Sequence, residues 1–288
     1  MDDASKSGAA PGFSSHRALR ASVEIRRQLS RPSIRTVLIA TALLPCALAA
    51  AVSKGKFDIS FDAQYLSSVA TESGANFIVF ALFVGSQLTM TLVVAYIFGE
   101  AITREVQWSY LPILVTTPVR RGQLLRQKAI ACSVVCLIGL VLFGIVSAAV
   151  GFTLYGAGPL IPVSGAHVPL ADMGWRFLAM FGYIACYLAW VAALGMLFSV
   201  LAGHNAVIAV GGTVAILLFS HLFGGLATVG VARSFLPTRN FDAWTTLASA
   251  DIGWIRIEWG VFLSLLYSGV FGLLAYGSFV SKDVRAGC

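Results

Sequence analysis

The chain is short of charge. Only 11% of its 288 residues are Asp, Glu, Lys or Arg, against about 25% in an ordinary soluble domain. Hydrophobic residues make up 58% and the mean hydropathy is +0.83. That balance excludes a soluble globular protein and places most of the length in lipid. The formal net charge of +7 invites a nucleic-acid reading. The basic residues flank apolar runs, however, and no separate basic domain exists to grip phosphates.

Other absences narrow the function. No GxxxxGK[ST] motif occurs, so the chain has no P-loop to bind ATP. HExxH and GxSxG are missing too. The five cysteines (Cys46, Cys132, Cys136, Cys186, Cys288) include no CxxC pair, and those within apolar runs act as small hydrophobes. His16, His167, His204 and His221 are scattered. His221 sits within an apolar run and reads as a packing residue rather than a ligand. Metal and cofactor sites are therefore not expected.

What is present is six apolar runs, at about 34–52, 77–99, 129–155, 175–201, 206–231 and 259–280. The pattern predicts an all-α integral membrane protein whose membrane-spanning body covers 34–280. Residues 1–15 read as a disordered tail, and 281–288 as a second tail. Between 16 and 31, Arg17, Arg20, Glu24, Arg27 and Arg31 recur at spacings of three and four. They form one charged stripe of an amphipathic helix suited to the interface of an anionic leaflet. A basic tail that only sets orientation is the alternative. Pro32 ends this helix. Ala49-Ala50-Ala51 resembles a signal-cleavage site, but the long basic region before the apolar core fits a retained span better.

Six spans put both ends on one side. Fourteen Lys and Arg fall on that side and six on the other: Lys54, Lys56, Arg176, Arg233, Arg239 and Arg256. The positive-inside rule then places both termini in the cytoplasm. The span interiors carry no Asp, Glu, Lys or Arg. Ion-coupled carriers usually bury such groups at membrane depth. Any coupling energy must enter from outside the membrane. The segment 233–258, with Phe235, Phe241, Trp244 and Trp254 among Arg239, Asp242, Asp251 and Arg256, is too polar to span and too aromatic for a free loop. It predicts short helices dipping into the outer interface before the last span.

The stretch from Glu100 to Lys128, EAITREVQWSYLPILVTTPVRRGQLLRQK, is the long polar interruption on the basic side. It mixes Arg104, Arg120, Arg121, Arg126 and Lys128 with Trp108, Tyr110, Leu111, Ile113, Leu114 and Val115. An amphipathic segment of this kind suggests a surface made to touch another protein. Pro112 and Pro118 break it into a short helix and a run into the next span.

Here a resemblance enters. Glu105, Ser109-Tyr110-Leu111, Leu114, Thr117-Pro118-Val119, Arg121 and, seven residues on, Lys128 resemble the signature of ABC-2 type transporter permeases. That signature reads roughly E-R-E-x-G-T-L-x-x-L-L-x-x-P-V-x-R followed by K. Ser109 and Tyr110 stand where the family usually has Gly and Thr, and Pro112 where Glu is common. The resemblance covers nearly the whole chain. It implies the membrane subunit of a bacterial ABC exporter, seated in the plasma membrane and working with a second permease copy. A separate ATPase subunit would bind the ATP. It also implies a cytoplasmic coupling helix between spans two and three, carried by Glu105, Trp108, Tyr110, Leu111, Leu114, Pro118, Arg121 and Lys128, and a re-entrant hairpin before span six. The substrate class that fits apolar walls with Ser, Thr, Gln87 and Asn205 nearby is a small amphiphile: a drug, lipid or peptide. A membrane scaffold or assembly factor without transport remains the alternative.

Overall fold

The computed structural model describes residues 21–54, 66–107, 121–161, 172–225, 233–249 and 251–281. The tails and the run 108–120 lie outside these residues. The described chain is helical: α1 (Ala21–Ser30), α2 (Pro32–Ser53), α3 (Gly74–Val84), a π-helical segment (Gly85–Met90), α4 (Thr91–Gln107), α5 (Arg121–Tyr155), α6 (Met173–Leu201), α7 (Ala206–Gly225), a 3₁₀ helix (Pro237–Ala248) and α8 (Trp254–Ser281). Among the described residues six helices are long and apolar enough to cross a membrane. The second of these is built from α3, the π segment and α4. The fold is an all-α multi-pass membrane protein, as the hydropathy pattern predicts.

Local chemistry sets the boundaries. Arg31 precedes a proline, which disfavours helical backbone, and it is extended at φ −69° and ψ 127°. The break between α1 and α2 follows. Ser73 caps α3, accepting a hydrogen bond from the Asn76 amide at 3.2 Å. This starts the second span at Gly74 rather than residue 77. The helix of the third span, α5, starts at Arg121 rather than residue 129, because Gln123, Leu124, Arg126 and Lys128 are good helix formers. Hydropathy marks lipid contact, not helix ends. At 35 residues α5 is about 52 Å long, well beyond a bilayer core of about 30 Å. The last helix likewise begins at Trp254 rather than 259. Its Arg256 forks onto Asp242 with two 2.8 Å bonds.

Two spans form the centre. The most apolar windows of Gly74–Arg104 and Met173–Leu201 are 72% and 61% buried, against 17–33% for the other four. Small residues allow the tightest contacts. A Cβ on Gly74 would stand 2.8 Å from the Gly151 backbone, and the Gly74 amide donates to Gly156 O at 2.9 Å. Ser199 of α6 accepts from the amides of Ile102 and Thr103 at 3.0 and 3.4 Å. This hydroxyl ties α6 to α4.

The segment 233–249 is held in layers. On α6, Arg176, Tyr183 and Trp190 stand seven residues apart, hence on one face. Arg176 Nη1 donates to Leu247 O and Ser249 O at 2.8 and 2.7 Å. Tyr183 Oη donates to Asn240 O at 2.5 Å. Trp190 shares a cavity wall with Pro237. On α8, Trp259 Nε1 donates to Ser234 O at 3.2 Å, and Tyr267 Oη to Phe235 O at 3.1 Å. The Leu236–Pro237 corner thus lies well down both helices. Phe83 packs on Phe241 and Trp244, ring centres 6.0 and 6.3 Å away.

Candidate functional site

Two places carry polar groups in an otherwise apolar body. The first is at the end of the bundle where α4 stops and α5 starts, beside the run 108–120. Arg104 binds Glu100 one turn earlier, Nε to Oε2 at 2.8 Å and Nη2 to Oε1 at 3.0 Å. It also donates to Tyr96 Oη at 3.2 Å. One fork thus fixes the last turns of α4.

Next to it, α1 is bonded to α5. Lys128 Nζ reaches Glu24 Oε1 at 3.3 Å, with the two side chains only 4% and 14% exposed. One turn on, Gln28 Nε2 donates to Cys132 Sγ at 3.2 Å. Both contacts join residues 104 apart. Residue numbers therefore rise together, and the helices run parallel. The line continues past the Arg31 break, where Leu38 of α2 lies over Gly139 of α5. Spacing alone puts Glu24 on the outward charged stripe. The structure turns it inward, because Lys128 and Cys132 repeat its four-residue interval on α5. Ser22, Val23, Arg26, Arg27 and Ser30 face outward instead.

The residues expected to couple to an ATPase distribute as follows. Lys128 is buried on Glu24. Arg121 is the first residue of α5, and Glu105 lies in the last turn of α4. Trp108, Tyr110, Leu111, Leu114 and Pro118 lie outside the described residues. The Glu24–Lys128 pair is what sequence reading missed. Its signal is there: Glu24 with Gln28, and Lys128 with Cys132, share one interval on two helices.

The second place is the π segment Gly85–Met90. It follows α3, whose residues Gly74 to Phe83 are all buried. Within it Gln87 is exposed and Leu88 is 61% exposed. A π-helical turn puts an extra residue into the helix and re-aims its side chains, and such turns recur at functional sites. Ser86 Oγ bonds to Leu82 O and Thr91 Oγ1 to Ser86 O at 3.0 Å, which takes up carbonyls loosened by the wider turn. Gln87 lies 13 residues into a 31-residue span, so near its middle. Leaving an amide in hydrocarbon at that depth is costly.

His221 is exposed on α7 rather than packed. Its neighbours in the buried stripe are Ala209, Thr213, Leu217, Ser220 and Gly224. Among the described residues no group of three or more His, Cys, Asp and Glu gathers to hold a metal ion. No protein-family model matches the chain, and no curated protein matches it.

Proposed function

We propose that the chain is the membrane-spanning permease subunit of an ABC-2 type exporter. It would build the path for a small amphiphile with a second permease copy, while a separate subunit hydrolyses ATP. The observation that carries this reading is a juxtaposition. The stretch resembling the permease signature joins α4 to α5, and at its end Lys128 clamps α1 onto α5 at 3.3 Å. A push on that stretch reaches α4 and α5 directly, and α1 and α2 through the clamp.

In this reading Trp108, Tyr110, Leu111 and Leu114 fill a groove on the ATPase, with Glu105 and Arg121 at its rim and Pro118 setting the bend. Gln87 lines the path at mid-depth. The outward face of α7, with Gly211, Ala215 and His221, meets the second copy or the path. The segment 233–249 is a re-entrant hairpin that enters from the outer side with its tip at Pro237. Both termini face the cytoplasm.

The test is co-expression with a candidate ATPase subunit, followed by pull-down and substrate-stimulated ATP hydrolysis. Tyr110→Ala and Leu111→Asp lose the partner or uncouple hydrolysis from transport at normal membrane level, because buried anchors dominate such interfaces. Combined neutralisation of Arg120, Arg121, Arg126 and Lys128 with a silent Tyr110/Leu111 double variant marks the stretch as an orientation signal only. A stable complex without transport favours the scaffold alternative.

A further inference from the structure

The two least buried spans are α8 at 17% and α7 at 22%. Each packs on α6, yet they scarcely touch one another. Between them, closed on one side by Pro237, is a cavity of about 270 Å³. Trp190, Ile216, Phe219, Phe223 and Phe271 make most of its wall. Trp190 lies 17 residues along α6 from Met173, and Tyr267 lies 13 along α8 from Trp254. At about 1.5 Å per residue the cavity sits about 20–25 Å below the far ends of both helices, in the middle of the bundle.

Its walls present almost nothing polar. The Ser220 and Thr238 hydroxyls bond each other at 2.8 Å, and the Tyr267 hydroxyl is engaged by Phe235 O. The indole nitrogen of Trp190 is sealed from the space. An occupant with a polar group at this depth would meet only the spare hydrogen-bonding capacity of these hydroxyls and would lose most of its hydration. In a bilayer the hydrocarbon at this depth has no polar group, and one chain is narrow enough to enter between α7 and α8. We propose that this cavity is a lipid-chain site: one acyl chain of a membrane phospholipid enters sideways between α7 and α8 and lies under the Pro237 corner. The inference needs only the membrane placement of the six helices and stands apart from the ATPase reading.

The experiment uses the full chain in nanodiscs of phosphatidylethanolamine and phosphatidylglycerol. These are doped with phosphatidylglycerol carrying a diazirine either at mid-chain or on the headgroup. After irradiation, adducts are mapped by mass spectrometry. The mid-chain probe should mark peptides holding Ile216–Phe223 and Tyr267–Phe271, and the headgroup probe should not. Ile216→Trp fills the space and should cut those adducts several-fold, with those at exposed Ile145 unchanged. Ser220→Phe grows into the same space one turn along α7 and carries the same expectation if the first variant does not accumulate. Adducts that survive both fillings mean ordinary surrounding lipid and overturn the site. So does labelling by the headgroup probe, a cross-link to a second copy in place of lipid, or no adduct at all.

Discussion

The span Gly74–Arg104 and the span Trp254–Ser281 are both apolar enough to cross a membrane, with window hydropathies of 2.2 and 1.6, yet 72% of the first window is buried and 17% of the second. Hydropathy does not separate them, because a protein interior and a lipid tail are equally apolar neighbours. Close packing separates them. The central span has Gly74 against Gly151 and Phe83 wedged on Phe241 and Trp244. The peripheral one carries Leu265, Leu266, Leu273 and Leu274 outward, at 48–74% exposure. In a membrane, shape decides where a helix sits.

That contrast can be broken by substitution. Phe83→Ala should have the largest effect. It empties a fully packed aromatic position and should cost about 3 kcal/mol, the low end for such truncations, since the unfolded reference also lies in lipid. The midpoint of SDS unfolding reads it. Glu24→Ala comes next. It removes a charged partner from buried Lys128 and should cost about 1.5–3 kcal/mol. Restoring most of that loss with Glu24→Leu plus Lys128→Met would assign it to the buried charge rather than to lost volume. Leu273→Ala, 74% exposed, should change stability by less than about 0.5 kcal/mol. A loss equal to that at Phe83 would mean that a second copy covers α8. Gln87→Leu sharpens the comparison from the other side. It should leave the unfolding midpoint unmoved, or raise it slightly, while reducing substrate-stimulated ATP hydrolysis in the assembled complex. A stability loss instead would make Gln87 a packing residue.

Composition made the helical class and the six spans legible, because an apolar run long enough to span has few other fates. The Arg31–Pro32 break was readable in the same way, being local, whereas the equally local Ser73 cap went unread and the second span was started at residue 77. Residues 121–128 were not read as helix, since hydropathy measures depth and these residues are polar helix formers. Glu24 was assigned to the wrong side because periodicity gives the faces of a helix but not what each face meets. That answer sits 104 residues away, at Lys128. Gln87 could be noted as polar within a span. Its π-helical turn could not, because one extra residue in a helix leaves no mark on the hydropathy of an apolar run.

The same 104-residue interval has a consequence for how the protein is made. A ribosome adds about 5–20 residues per second, so Lys128 follows Glu24 by about 5–20 s. During that interval α1 exists without α5, and its acidic residue has no ammonium to meet. Arg26, exposed in the finished fold, can hold the young helix at anionic headgroups meanwhile. Arg26 would then serve biogenesis rather than the finished bundle, and its removal would slow assembly while leaving the folded protein as stable as before.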